Sequence, residues 1–336
     1  MLNTTRLAFA TYLATLASLN GVASATEQFN VDPSIQQKLE TRIQESSAFL
    51  KAINVLGVQE LKGQKVGIGV SSTIAGRTDT TGAGVRQPRD VSALDQQGYE
   101  AFHTDFDTAV RYSLLDAWAR FPDFQTRLRD AIAQRQALDR LMIGFNGTSA
   151  AATTNRVANP NLEDVNIGWL QQYRNNAAAR VMKDGATAGA VKVGATGDYK
   201  NLDALVYDAV SSLIDPWNRQ NPGLVVVTGR DTLHDKFFPM VNKEQPATES
   251  LATDVILSQR RMGGLPVAEV PYMPQGTLLI TALNNLSLYW QIDGRRRYIK
   301  DEPEKNRIAN YESSNDAYVV EDYGLGCVVE NVEFEA

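Results

Sequence analysis

The sequence predicts an α/β chain that completes itself by association with other copies. Three observations carry this. A long amphipathic helix is written into residues 123–143. A polar excursion from Ala75 to Gln97 has almost no large apolar residue, yet strand-like runs flank it on both sides. From Asn201 onward, well-patterned helix and strand segments alternate.

The central helix comes first because the rest of the chain is arranged about it. Thr108 to Phe121 places Val110, Leu114, Leu115, Trp118 and Phe121 at helical spacing. Pro122 breaks that run, since proline lacks a donor and disfavours helix at the preceding residue. Asp123 then stands where a helix start favours an acid. Phe124, Leu128, Ala131, Leu138, Met142 and Phe145 form a narrow apolar stripe, which Arg135 interrupts. The turn residues Gly144 and Asn146-Gly147 end it. A helix from Asp123 to Ile143 would be roughly 30 Å long at about 1.5 Å per residue. Its other face carries Arg127, Arg129, Asp130, Asp139 and Arg140, which predicts contact with water or a charged surface.

Leu2 to Ala25 has two readings. Arg6, an apolar middle and Ala23-Ser24-Ala25 match a secretory signal. Leu7, Tyr12, Leu13, Leu16 and Leu19 instead share one side of a docking helix that Asn20-Gly21 would end. The stretch is too short and polar to cross a membrane. Thr26 to Asp32 is a polar connector, and Pro33 opens a helix running to about Lys51. The run Ile53–Ser72 reads as strands; Gly67 and Gly69 are only a weak echo of a phosphate loop, because no helix start follows. The excursion from Ala75 to Gln97 reads as the polar tip of a two-stranded arm. Such an arm is marginal alone and calls for neighbours to cover it.

After a Thr/Ala/Asn-rich loop, Val165 to Gly185 suggests a helix. Lys183 to Asp198 is a Gly/Ala-rich boundary. Asn201 to Ile214 is the best helical pattern, with Leu202, Leu205, Val206, Ala209, Val210 and Leu213. A strand at Leu224–Val227, helices near Leu233–Val241 and Glu249–Arg260, and a strand at Val267–Val270 follow. Thr277–Ala282 and Leu286–Gln291 read as a hairpin about Asn284-Asn285, closing a self-contained unit at about Gln291. The tail returns to strands.

Composition narrows the function. The chain has 336 residues, enough for two domains or one large one. Its net charge of −6 and pI near 5.2 argue against a surface built to grip nucleic acid. The one dense basic run, Arg295-Arg296-Arg297, is interleaved downstream with acids and reads as a solvated or subunit-facing surface. One cysteine, Cys327, excludes an intrachain disulfide. His103 and His234 lack partners at metal-ligand spacing. No nucleophile elbow, Walker loop, HExxH, paired CxxC or EF-hand loop is present. Glu312, Asp316, Glu321 and Asp322 alternate with Tyr and Val and read as a solvated strand face. No catalytic residue, cofactor or metal is expected.

Several long runs carry a resemblance. They are IQESSAFLKAINVLGVQELKG, RTDTTGAGVRQPRDVSALD, YSLLDAWARFPDFQTRLRDAIAQRQALDRLMIGFNGTSAAATT, NLDALVYDAVSSLIDPW, GLVVVTGRDTLHDKFFPMVNKEQ and NYESSNDAYVVEDYG. Over essentially its whole length the chain resembles the major capsid proteins of P2-like tailed bacteriophages (peduoviruses). The resemblance implies an α+β, Hong Kong 97-like capsid fold. Residues 1–55 would be the N-terminal arm and 56–107 the extended β loop. Residues 108–197 and 292–336 would be a peripheral domain with spine helix 123–143, and 198–291 an axial α/β domain. It also implies self-assembly as hexamers and pentamers into an icosahedral head around double-stranded DNA, which the shell holds non-specifically. Scaffold, a maturation protease and a portal at one vertex would be partners, in the bacterial host cytoplasm. Removal of the first 25–31 residues is implied, with the cut among Thr26, Glu27, Gln28, Phe29, Asn30, Val31 and Asp32. Candidate inter-subunit contacts are Arg77, Asp79, Arg86, Arg89, Asp90, Arg127, Arg295, Arg296 and Arg297. The alternative is a secreted or periplasmic α/β binding protein or enzyme, resting on the signal-like N-terminus.

Overall fold

The computed structural model describes residues 1–65, 69–70, 75, 77–81, 85–87, 92–93, 98–118, 124–233 and 260–335. The chain opens with α1 (Asn3–Leu19), β1 (Phe29–Asn30), α2 (Pro33–Glu45), α3 (Ala48–Ala52) and β2 (Asn54–Val58). The arm follows as β3 (Lys62–Gln64), β4 (Gly69–Val70), β5 (Ser92–Ala93) and β6 (Gly98–Glu100). Then come β7 (Phe102–Asp105), β8 (Thr108–Arg111), α4 (Tyr112–Trp118), the long α5 (Phe124–Asn146) and α6 (Trp169–Asn176). β9 (Val181–Met182), β10 (Val191–Val193), α7 (Leu202–Leu213), β11 (Leu224–Thr228), β12 (Arg261–Met262) and β13 (Leu265–Glu269) lead to β14 (Leu278–Ala282) and β15 (Leu286–Gln291). The tail holds β16 (Arg296–Glu302), β17 (Arg307–Val320), β18 (Cys327–Val329) and β19 (Val332–Phe334).

Local chemistry sets the helix ends. Asn20-Gly21 closes α1, with Gly21 at φ +64, where a side chain would be strained. Asp32 accepts from Ser34 N and Pro33 takes the first turn of α2. Asn201 Oδ1 accepts from Ala204 N at 2.8 Å and starts α7, whose buried side is Leu202, Leu205, Val206 and Ala209. Asn201→Ala should cost about 1 kcal/mol in a urea titration, and Asn201→Gly only a few tenths.

Two large sheets carry the strands. In the first, β1, β16, β17, β15 and β2 lie in that order, with β7 and β8 also paired to β17. In the second the order is β12, β13, β11, β14, β18, β9. The arm is a pair of antiparallel ladders, β3 with β6 and β4 with β5.

Several expectations change here. The run 108–121 is not one helix: Thr108–Arg111 pairs with Arg307–Asn310 as a strand, and helix begins only at Tyr112. The helix expected from Val165 spans only Trp169–Asn176. The helix at 249–260 and most of that near 233–241 lie outside the described residues, as do His234 and Gly67. Leu278–Ala282 and Leu286–Gln291 do not form a hairpin. β14 pairs with β11 and β18, whereas β15 pairs with β17 and β2. Both strands are buried along nearly their whole length, the pattern of a sheet covered on both faces. Asn285 explains the switch. Its Nδ2 donates to Asp322 O and its Oδ1 accepts from Asp322 N, both at 2.7 Å. The link between β14 and β15 is thereby bonded to the link between β17 and β18, and both links pass from one sheet to the other. The unit ending near Gln291 is therefore not self-contained.

The main core lies between the first sheet, α5 and α6. Trp169 is its centre, with Phe49, Phe145 and Tyr318 rings at 6.1, 5.3 and 5.1 Å. Its Nε1 donates to Ser287 O at 3.0 Å. Gly144, expected to end α5, lies inside it, because a Cβ there would sit 2.3 Å from the Trp169 ring. Helix and ring meet only because that position is bare.

Candidate functional site

The buried face of α5 takes in only the end of the apolar stripe, Met142 and Phe145. The rest of it is Ala133, Gln136, Ala137, Arg140, Leu141, Ile143 and Gly144. Small residues there let α5 approach the first sheet, and two polar side chains reach into it. On β17, Glu312, Ser314, Asp316, Tyr318 and Val320 alternate onto one buried face. The two elements meet in an ionic clasp. Arg140 Nε donates to Asp316 Oδ2 at 2.9 Å, and its Nη1 and Nη2 donate to Glu40 of α2. Arg295 donates to Glu312 Oε1 at 2.8 Å, to Gln136 Oε1 at 2.9 Å, and to Glu40. The five paired charges Glu40, Arg140, Arg295, Glu312 and Asp316 are all nearly inaccessible. Burial pushes the Glu40 carboxyl up, but Arg140 and Arg295 outweigh it and hold its pKa below the usual range. Glu312 follows the same balance, with Arg295 its main partner. The guanidinium of Arg140 is held charged by Asp316 and Glu40 against its desolvation. The clasp ties α2, α5 and the β16–β17 region into one body.

This corrects three readings and decides a fourth. Arg295 is no subunit-facing residue, and Arg140 meets a charged surface inside the chain rather than water. Glu312 and Asp316 do not lie on a solvated face. Each is buried because its counter-charge arrives from a distant segment. Glu321 likewise accepts from Ser287 and Tyr289, and Asp322 caps the turn at Gly324.

The other predicted residues lie on surfaces. Arg77, Asp79 and Arg86 are exposed on the arm, where Asp79 accepts from Thr81 N at 2.9 Å. Arg89 and Asp90 lie outside the described residues. Arg127 and Arg296 are exposed. Arg297 is half-buried and donates to Asn310 and Tyr12. Of the connector, only Thr26, Glu27 and Gln28 form a continuous exposed stretch. Phe29 and Asn30 pair with Arg297 and Arg296, Val31 is buried, and Asp32 caps α2. Cys327 is buried, and desolvation pushes its thiol up to about 12, which keeps it inert.

An open cleft of about 510 Å³ runs beside α5, lined by Phe106, Ala131, Ile132, Met142, Pro160 and Leu162 with Asp107, Arg135, Asp139 and Arg156 on its rim. The predicted stripe ends here: Leu128 and Ala131 stay at least partly exposed. The described residues leave this apolar strip open. No group that could hold a metal ion occurs among the described residues.

The sequence profile described as "Phage major capsid protein, P2 family" matches residues 8–332. The chain belongs to this family. It is similar to the capsid protein of Escherichia phage P2, at 51% identity over 98% of this chain and 94% of that one. It is 43% identical to the major capsid protein of Serratia phage KSP20, over 99% and 98%. Among solved structures it is similar to the chain in "Satellite phage P4 procapsid including size determination (Sid) protein", with TM-score 0.83, 48% identity and coverage of 100% and 99%. A P2-family major capsid protein is a structural subunit of the phage shell and not an enzyme, with the Hong Kong 97-like fold that the runs above implied. The secreted alternative finds no support in this family or these relatives.

Proposed function

We propose that copies of this chain associate as hexamers and pentamers into an icosahedral head enclosing double-stranded DNA, assembled in the bacterial cytoplasm. Scaffold, a maturation protease and a portal at one vertex are the partners of this reading. The observation that carries it is the likeness, along the whole chain, to a solved procapsid chain. The acidic balance suits a wall that encloses DNA without gripping it.

In this reading residues 1–55 are the arm and 56–107 the extended loop. Residues 108–197 belong to the peripheral part, and most of 198–291 to the axial part. Membership of the first sheet supports counting Leu286–Gln291 with the peripheral part, and membership of the second supports counting Cys327–Val329 with the axial part. Subunit contacts are borne by Arg77, Asp79 and Arg86 on the loop, and by Arg127, Arg296 and the cleft beside α5. The maturation cut falls within Thr26–Gln28, where the backbone is exposed and outside the sheet.

Sedimentation and negative-stain microscopy of the full chain, with and without its scaffold, test assembly. Closed shells or hexameric rings are expected. A species that stays small at high concentration with scaffold present overturns the reading. N-terminal sequencing of mature particles tests the cut, and particles beginning at Met1 or Leu2 refute it.

A further inference from the structure

A two-stranded ribbon is marginal by itself, and one held only at its ends would swing about its attachment. The root of this arm is built against that. β2 pairs with β15 and β7 pairs with β17, so the outgoing and returning limbs leave from the same sheet. Side chains tie the limbs together where they leave. Gln291 Nε2 donates to Gln59 O at 3.1 Å, and Asn315 Nδ2 donates to Gln291 Oε1 at 2.7 Å. His103 Nδ1 lies 3.1 Å from Asn315 Oδ1, which completes the crossing from one limb to the other. Further out, Ala101 N donates to Leu61 O at 2.7 Å.

Tyr99 fills the angle between arm and sheet. Its ring is buried edge-on to Tyr289 of β15, with centroids 5.0 Å apart and planes at 83°. Ala101, Ala317 and Val319 close a small core around the pair. Tyr99 OH donates to Glu60 O at 3.1 Å, which holds the ring to the outgoing limb. Gly63 makes room for it, since a Cβ there would lie 2.9 Å from the Tyr99 oxygen.

Two limbs still leave a ribbon free to rock, and a third point stops it. Lys65, just past β3, supplies that point. Its Nζ lies 4.2 Å from the centroid of the Tyr323 ring, within the range of a cation–π contact. Tyr323 belongs to the link after β17 and is itself fixed by α6. It is edge-on to Tyr173 at 5.2 Å, and its hydroxyl accepts from Asn176 Nδ2 at 2.9 Å. Lys65, Tyr99, Gln172 and Tyr323 line one small gap between arm and body.

We propose that Tyr99 and Lys65 are positioning residues that set the direction of the arm in the unassembled chain, so that a neighbouring copy meets an arm already aimed. The aiming stands on the contacts above; its use in assembly rests on the reading that copies of this chain build a shell. An arm free to swing loses that freedom when a neighbour binds it, and the loss weakens association.

The test places spin labels on the full chain at Thr80→Cys in the arm and Ser212→Cys on α7, both exposed; Cys327 is buried and stays unlabelled. Pulsed electron–electron distance measurement then reads the spread of arm positions. The parent should give one narrow distribution. Lys65→Met keeps the length of the side chain and loses its charge, and it should widen the distribution at least about twofold. Tyr99→Leu should widen it further, and where that variant fails to fold, Tyr99→Phe takes its place and tests the tie to Glu60 O. The urea midpoint of Lys65→Met should equal that of the parent, which a general loss of stability would not allow. In sedimentation of the unlabelled chain with its scaffold, the concentration needed for half-assembly should rise at least about threefold for Lys65→Met. A parent distribution as broad as that of Lys65→Met overturns the aiming. A broadened arm with unchanged assembly overturns its use in assembly. A parent that forms only small species removes the assembly reading, and the distances still decide whether the arm is aimed.

Discussion

Arg140→Ala should remove about 3–5 kcal/mol of stability from the unassembled chain, the cost of breaking a buried ion pair from one side. The guanidinium serves Glu40 and Asp316 together, so its loss leaves Asp316 without a cation and Glu40 with Arg295 alone, in a site that water does not reach. Arg295→Ala should do the same to Glu40 and Glu312. Arg135→Ala is the control. Its partner Asp139 lies one turn along the same helix and is only partly buried, and removing the exposed Arg135 should change stability by no more than about 1 kcal/mol. Urea titration followed by tryptophan fluorescence reads all three, and equal midpoints for Arg140→Ala and Arg135→Ala would contradict the clasp. The clasp also sets a pH dependence. Glu40 and Glu312 have folded pKa values below the ordinary 4.5. Such groups stabilise the fold fully above that value, and the contribution falls away as pH drops through the lowered one. The slope of stability against pH below about 4.5 should be steeper in the parent than in Glu40→Gln. A parent curve no steeper than the variant's would show that the clasp carboxylates titrate normally.

Trp169→Ala should cost about 3–5 kcal/mol, the range for emptying a large aromatic site. Trp169 is fully buried, touches the rings of Phe49, Phe145 and Tyr318, and donates to Ser287 O. The indole therefore joins α3, α5, α6 and both central strands of the first sheet. Trp169→Phe should recover most of the packing and lose the hydrogen bond, leaving Ser287 O without this donor. A Phe variant as unstable as the Ala variant would show that the bond to Ser287 outweighs the ring. Neither variant should assemble at temperatures where its free chain is unfolded, which sedimentation reads directly.

Much of the fold was legible in the sequence. Asn20-Gly21, Asp32-Pro33 and Asn201 mark helix ends because capping is a local exchange of hydrogen bonds. The polar arm was legible as a segment unable to bury itself. The clasp was not read, although Glu312, Ser314 and Asp316 at period two and Gln136 and Arg140 at helical spacing were signals for it. Charge pointed those faces to water, and only counter-charges from other segments reverse that.

The sequence by itself determined the caps, the helical and strand periods, the absence of a disulfide and the family, since each is encoded in neighbouring residues or in long continuous runs. Only the tertiary structure decided which strands pair and which charges are buried. Period two gives a strand its two faces but not its partner, so β14 and β15 pass for a hairpin until Asn285 is seen bonded to Asp322. Helical period gives α5 a stripe but not its neighbour. Arg140 is inside because Glu40 lies 100 positions before it and Asp316 lies 176 after, and desolvation is outweighed only when both arrive.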